Sequence, residues 1–244
     1  MRNIAMNLAY DGTAYHGWQV QPNGITVQEE LQNAVEKIIG VRENIVGCSR
    51  TDAGVHANDY CCNMRTENGM DCYKLTGALN AVLPPDIAVK SCREVDLGFH
   101  ARYDCKGKRY VYRVWNSHVR NPFMNGYAWH YKRPIDTELL NAQAQAFVGT
   151  FDFTSFCASG GSVEDKVRTV RSFSVERNGD EVLFKVEADG FLYNMVRIMV
   201  GTLIEISENR IENNKLADII ERKDRLSAGR TAPAQGLFLD EVFY

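Results

Sequence analysis

The sequence predicts an α+β protein built from two related halves. Apolar residues alternate at period two over several short runs, and other runs repeat at helical spacing. Both kinds occur in similar number on either side of Asp104, where the composition turns basic, so the expected division is residues 1–104 and 105–244. With 244 residues, 45% of them hydrophobic, the chain can fill a sizeable core without covalent staples.

In chain order, Ile4, Met6, Leu8 and Tyr10 alternate, which predicts a strand over residues 2–10 with one buried face. Thr26-Val27-Gln28-Glu29 has the capping-box pattern. Val27, Leu31, Ala34, Val35 and Ile38 then share a helical face until Gly40, which predicts a helix over 27–39. Strands are expected at 44–49 and 59–64, flanking a loop around Asp52. A helix over 72–82 stops before Pro84-Pro85, and a strand follows over 87–95.

In the second half, residues 108–115 alternate as a strand and residues 137–148 read as a helix. Strands at 167–176 and 181–188 are joined by Asn178-Gly179, a strong hairpin signal. Long and shorter helices are expected at 191–206 and 215–222, with a closing strand at 236–243. No repeat, low-complexity tract or long linker interrupts the chain.

Charge is uneven. Net charge is −3, which argues against indiscriminate nucleic-acid binding. Residues 101–133, however, hold 8 Lys and Arg against 1 acidic residue, between two acidic stretches. That distribution suits polyanion contact on one surface and equally suits a solvated basic face. Seven cysteines, with no Cys-x-x-Cys and no histidine at zinc-ligand spacing, point to a reduced cytoplasmic protein without a metal centre. Residues 1–8 lack the apolar block of a signal peptide, and Arg197 and Glu205 interrupt the most apolar helix, so neither export nor membrane insertion is expected.

The run Arg50-Thr51-Asp52-Ala53-Gly54-Val55-His56 sets a guanidinium, a carboxylate and a flexible glycine between two apolar segments. An arginine beside it would keep Asp52 ionised in a sheltered cleft. The same composition also makes an ordinary loop, with Asp bonding its own backbone and Gly supplying positive φ.

The longer string Gly47 to Ala57 resembles the catalytic motif of the tRNA pseudouridine synthase A family, with Ser49 where that family usually carries Gly or Ala. The resemblance continues through Tyr10 to Pro22, Phe99-His100-Ala101-Arg102, Lys108-Arg109-Tyr110-Val111-Tyr112, Asp152 to Phe156, Asn194-Met195-Val196-Arg197 and Ala232 to Leu237. It implies a pseudouridine synthase fold: two related α/β domains, with mixed, mainly antiparallel sheets joined across a central active-site cleft. The first domain would carry the aspartate loop and the second would complete the cleft.

The activity implied is isomerisation of uridine to pseudouridine in tRNA, at positions 38, 39 and 40 of the anticodon stem-loop. It would use no cofactor, neither metal nor nucleotide, and a homodimer would hold the tRNA. The family's catalytic aspartate falls on Asp52, acting as nucleophile or as base, both of which need the anion. Arg50 and Arg197 would be substrate-binding residues, Arg197 with Asp52 as its carboxylate partner. Tyr110 matches the tyrosine that stacks on the flipped base, although alone at period two with Tyr112 it would read as a core residue.

Arg102, Lys106, Lys108, Arg109, Arg113, Lys166 and Arg168 are candidate phosphate contacts, each with the alternative of a solvated surface charge. Arg120, Lys132, Arg133 and Arg171 are further candidates. His16, His56 and His100 are expected to brace loops, and Ser159-Gly160-Gly161-Ser162 to form a mobile surface turn. Two rival functions stay open: a noncatalytic RNA binder, and a glycoside or nucleoside hydrolase. The second lacks a further carboxylate in a comparable motif.

Overall fold

The structure is a computed structural model describing residues 1–161 and 163–244; the last residue of the Ser159–Ser162 turn lies outside the described residues. The chain runs β1 (Arg2–Tyr10), α1 (Val27–Ile39), β2 (Ile45–Gly47), β3 (His56–Thr66), α2 (Cys72–Val82) and β4 (Ile87–Val95). It continues with β5 (Gly107–Trp115), β6 (Trp129–His130), α3 (Thr137–Ala144), β7 (Gly149–Asp152), β8 (Val167–Asn178) and β9 (Glu181–Ala188). Then come α4 (Met195–Ser207), α5 (Leu216–Arg222) and β10 (Leu237–Phe243). The α+β class expected from the sequence is what the chain adopts. It divides into two compact units, Met1–Lys106 with Phe238–Tyr244, and Gly107–Leu237.

In the first unit β1 lies antiparallel between β3 and β4, and β2 pairs the far end of β3. The chain's last strand also belongs here: Phe238 and Leu239 pair in parallel with His56 and Ala57, and the Lys106 N–H donates to the Phe243 carbonyl at 2.8 Å. Helix α2 packs on β4 and α1 on α2. Thr26 caps α1 by accepting the Glu29 N–H, and Gly40 ends it with φ 78°. Val27, Leu31 and Val35 have no exposed surface, and burying each contributes about 2 kcal/mol.

In the second unit β9 pairs antiparallel with β5 and β8, β7 extends β8, and the short β6 runs parallel to the end of β5. Helix α3 packs against β8 and α4 against β5.

Four elements differ from the sequence expectation by three or more residues. The helix expected over 137–148 is α-helical only to Ala144 and tightens into a 3₁₀ turn at Gln145–Phe147. The one expected over 191–206 begins at Met195, because Asn194 takes a left-handed conformation, φ 59°, which no helix can continue through. The strand expected over 44–49 shrinks to Ile45–Gly47, and the one expected over 59–64 grows to His56–Thr66. That growth goes with pairing to β10 at His56 and Ala57 and to β1 at Arg65 and Thr66.

Candidate active site

Asp52 stands in the connection between β2 and β3, and the backbone of another segment holds that connection in place. The Thr51 carbonyl accepts from the Trp18 N–H at 3.2 Å, and the Tyr15 carbonyl accepts from the Gly54 N–H at 3.2 Å. Within the loop the Val55 N–H returns to the Asp52 carbonyl at 3.2 Å, with Gly54 at φ 76°. The Thr51 hydroxyl meets the Tyr10 hydroxyl at 2.8 Å.

Two glycines of the 10–22 motif permit this contact. A Cβ on Gly12 would lie 2.0 Å from the Val55 carbonyl oxygen, and one on Gly17, whose φ is 86°, would lie 2.4 Å from that of Thr51. These separated stretches of sequence therefore form one rigid piece around Asp52, whose side chain is half-buried. Arg50 is exposed two residues earlier on the same loop.

Beneath the loop, Trp18 stacks on Tyr60 with ring centroids 4.1 Å apart, and the Tyr60 hydroxyl donates to the Ser49 carbonyl. Burial pushes the Tyr60 hydroxyl pKa well above the ordinary phenol value, so it serves as a neutral donor. His56 is buried against Phe238. Its Nδ1 accepts the Gly12 N–H at 3.1 Å and lies 3.1 Å from an Asp11 carboxylate oxygen. The Nδ1 of His100 accepts from the Arg102 and Tyr103 backbone. Both histidines brace turns.

Tyr110 and Arg197 belong to the second unit. Tyr110 sits opposite Val186 in the β5–β9 ladder, 5% exposed, with Phe191 edge-on to its ring at 5.0 Å and 84°. Arg197 lies in the first turn of α4. Its Nε donates to the Ala232 carbonyl at 2.8 Å and its Nη1 to Asn194 Oδ1 at 2.6 Å. The Arg197 carbonyl in turn accepts the Ala232 N–H at 3.0 Å.

A Cβ on Gly201 would fall 1.8 Å from the Arg230 carbonyl oxygen, so a glycine lets residues 230–232 lie directly on the helix. The same segment receives the Tyr112 hydroxyl at the Pro233 carbonyl, 2.7 Å. Burial raises the Tyr112 pKa, opposed by the nearby charge of Arg197, so this hydroxyl too is a neutral donor. The motifs at 108–112, 194–197 and 232–237 thus meet within one unit.

Phe191 was not singled out in the sequence, and Asn194 stood there only as a member of the 194–197 motif. Both fell inside a run that reads as continuous helix, and only the left-handed Asn194 separates Phe191 from it.

The candidate phosphate contacts differ in exposure and in pairing. Arg102 and Lys106 are exposed and Lys166 is half-buried. Arg109 approaches Glu187 at 3.7 Å, Arg171 reaches the same carboxylate at 3.6 Å, and Arg113 binds Glu181 at 2.6 Å. Arg168 donates to the Asp165 carbonyl at 3.0 Å. Lys108 is only 9% exposed. None of the seven cysteines is in a disulfide, and among the described residues no helix is long and apolar enough to cross a membrane.

An α+β chain that holds Asp52 on a braced loop in one unit and gathers the motifs of Tyr110 and Arg197 in the other has the make-up of an RNA-modifying enzyme. The family model described as tRNA pseudouridine synthase matches residues 6–104 and 143–244. Proteins named tRNA pseudouridine synthase A from Thermoanaerobacter sp., Acetivibrio thermocellus and Clostridium acetobutylicum are 46%, 45% and 43% identical, each over 100% of both chains. The chain belongs to the tRNA pseudouridine synthase family.

Proposed function

We propose that this protein isomerises uridine to pseudouridine in tRNA, at positions 38, 39 and 40 of the anticodon stem-loop, acting in the cytoplasm as a homodimer. The observation that carries this reading is the full-length likeness to synthases together with the locked loop that presents Asp52. The reaction breaks the bond from ribose C1′ to uracil N1, turns the base, joins C1′ to C5 and releases the C5 proton. Nothing is oxidised, and no bond energy must be supplied from outside.

Asp52 attacks or deprotonates the ribose, and a loop fixed by backbone hydrogen bonds keeps its carboxylate oriented through both halves of the reaction. Tyr110 stacks on the flipped uracil, replacing the neighbours it loses on leaving the helix. Arg50 and Arg197 bind substrate. Residues 1–104 form the domain that carries Asp52, and residues 105–244 the domain that completes the site. Arg102, Lys106, Lys108, Arg109, Arg113, Lys166 and Arg168 bind backbone phosphates. A monomer of net charge −3 offers a long polyanion only a local basic surface, which favours a dimer.

The test is tritium release from C5-tritiated uridine in tRNA. A synthase releases tritium and retains the base, a noncatalytic binder releases nothing, and a hydrolase frees uracil. Asp52→Asn is expected to abolish release while the protein remains folded. An active Asp52→Asn variant would overturn the assignment.

A further inference from the structure

Strand alternation splits the basic run of β5. Residues 108, 110, 112 and 114 face one side of the sheet and 109, 111, 113 and 115 the other. Arg109 and Arg113 spend their charge on Glu187 and Glu181, carboxylates of the adjacent strand. Lys108 stands on the side of Tyr110 and has different surroundings. Its partner in the ladder is Ala188, and Val186 and Phe184 follow opposite Tyr110 and Tyr112. All three are buried and apolar, and none can accept a hydrogen bond through its side chain.

The Lys108 side chain makes no hydrogen bond or ion pair among the described residues, although the residue is 9% exposed. A sealed ammonium in that condition would be very costly. It is not sealed: the fully buried nitrogen atoms without a partner belong to Arg2 and Arg230, so the Lys108 tip keeps an opening to solvent. The four-carbon stem is sheathed by the protein and the charge waits at its end. Because the stem is already ordered, little rotamer entropy is left to lose when an anion binds.

We propose that Lys108 binds the phosphodiester of the target uridine itself, beside the base that Tyr110 receives, rather than a phosphate of the surrounding stem. This rests on the reading of the protein as a tRNA uridine isomerase. Residues two apart on a strand are separated by about 6.8 Å, a span suited to a pyrimidine on one side chain and its own phosphate on the other. The phosphodiester is the only charged group a flipped uridine carries, and Lys108 is the cation on that face of β5. Its role is to hold the nucleotide while the free base turns, so that sugar and phosphate stay fixed when the glycosidic bond is open.

The experiment crosses a protein change with a substrate change. A tRNA is assembled by ligation with a single uncharged methylphosphonate 5′ to the target uridine, and a control carries it one nucleotide further along. Wild-type protein and Lys108→Met are assayed on both and on unmodified tRNA. On unmodified tRNA, Lys108→Met is expected to lose ~10- to 100-fold in kcat/KM, the scale of one charged hydrogen bond. Wild type should lose a similar factor when the target phosphate is neutralised. The variant should then be indifferent to that change, within about 2-fold, while both proteins respond alike to the control.

Lys108→Met is expected to unfold at the same temperature as wild type or higher, since it removes a sheltered charge without an internal partner. Lys108→Arg should recover part of the activity. Equal sensitivity of wild type and Lys108→Met to the methylphosphonate would overturn the proposal, as would unchanged activity of Lys108→Met. If wild type releases no tritium from unmodified tRNA, it is the isomerase reading that fails. The same crossed comparison, read as Kd for the three tRNAs, then decides the phosphate contact alone.

Discussion

The surroundings of Asp52 and those of Arg197 solve the same problem by different means. Asp52 is presented mainly by backbone: two main-chain hydrogen bonds and two glycines fit the 10–22 segment against the loop. Arg197 rests on a helix that Gly201 lets residues 230–232 approach, but its guanidinium is aimed by side-chain hydrogen bonds of its own, to the Asn194 amide oxygen and the Ala232 carbonyl. A backbone clamp tolerates no added atom, whereas a hydrogen-bonded side chain loses its position by degrees. On the proposed reading, the carboxylate that meets the ribose has the stiffer mount.

Substitutions can break that contrast, and the largest effect is expected on the clamp. Gly12→Ala puts a methyl group 2.0 Å from the Val55 carbonyl oxygen, so the loop must move. Tritium release should fall by at least ~100-fold and stability in urea by about 3 kcal/mol. Retention of near-normal activity would show that the clamp does not position Asp52.

Asn194→Ala removes the acceptor of Arg197 Nη1 and disfavours the left-handed turn. A loss of ~10-fold in kcat/KM and about 1 kcal/mol in stability is expected, with Asn194→Gly regaining most of the stability but not the activity. A Gly variant as active as wild type would mean that the turn matters and the amide does not. Tyr112→Phe deletes the hydroxyl that reaches Pro233 and should cost about 1 kcal/mol by thermal or urea unfolding, with a rate change under about 3-fold.

A last test is a pH titration of stability. Glu208 is desolvated, which works against its charge, yet hydrogen bonds from Arg230 and Tyr131 outweigh this and lower its pKa below 4.5. With the folded value depressed, its contribution is present above the unfolded pKa and is lost as pH falls through the folded one. Unfolding followed from pH 6 down to pH 3 should therefore show a steeper loss in wild type than in Glu208→Gln. Equal slopes would remove Glu208 from the network.

Much of this was legible in the sequence, for reasons that differ from element to element. Helix α1 could be read to its last residue because Thr26, Glu29 and Gly40 are local signals whose partners lie within one turn. The start of α4 could not, because the conformation of Asn194 is tied to Arg197 and to a neighbouring segment that bonds the Tyr193 carbonyl. The closing strand was visible as a strand, but its parallel partner was not, since nothing in residues 237–243 names residues 56 and 57.

The candidate site divides in the same way. Asp52, Tyr110 and Arg197 stand in motifs that a reader can find. Phe191 beside Tyr110 was hidden inside an apolar run, and the period-two alternation that separates Lys108 from Arg109 is lost when a basic segment is read as one patch.

The parallel pairing of Phe238 and Leu239 beside the aspartate loop also orders events at the ribosome. The strand that leaves this loop emerges early, but the neighbour it pairs with is translated some 170 residues later. At ordinary elongation speeds of about 5–20 residues per second, that is a wait of roughly ten to thirty seconds. Until then the edge of β3 is unzipped, so a nascent or prematurely terminated chain holds the reactive loop on an unfinished support and can be degraded before it ever meets RNA.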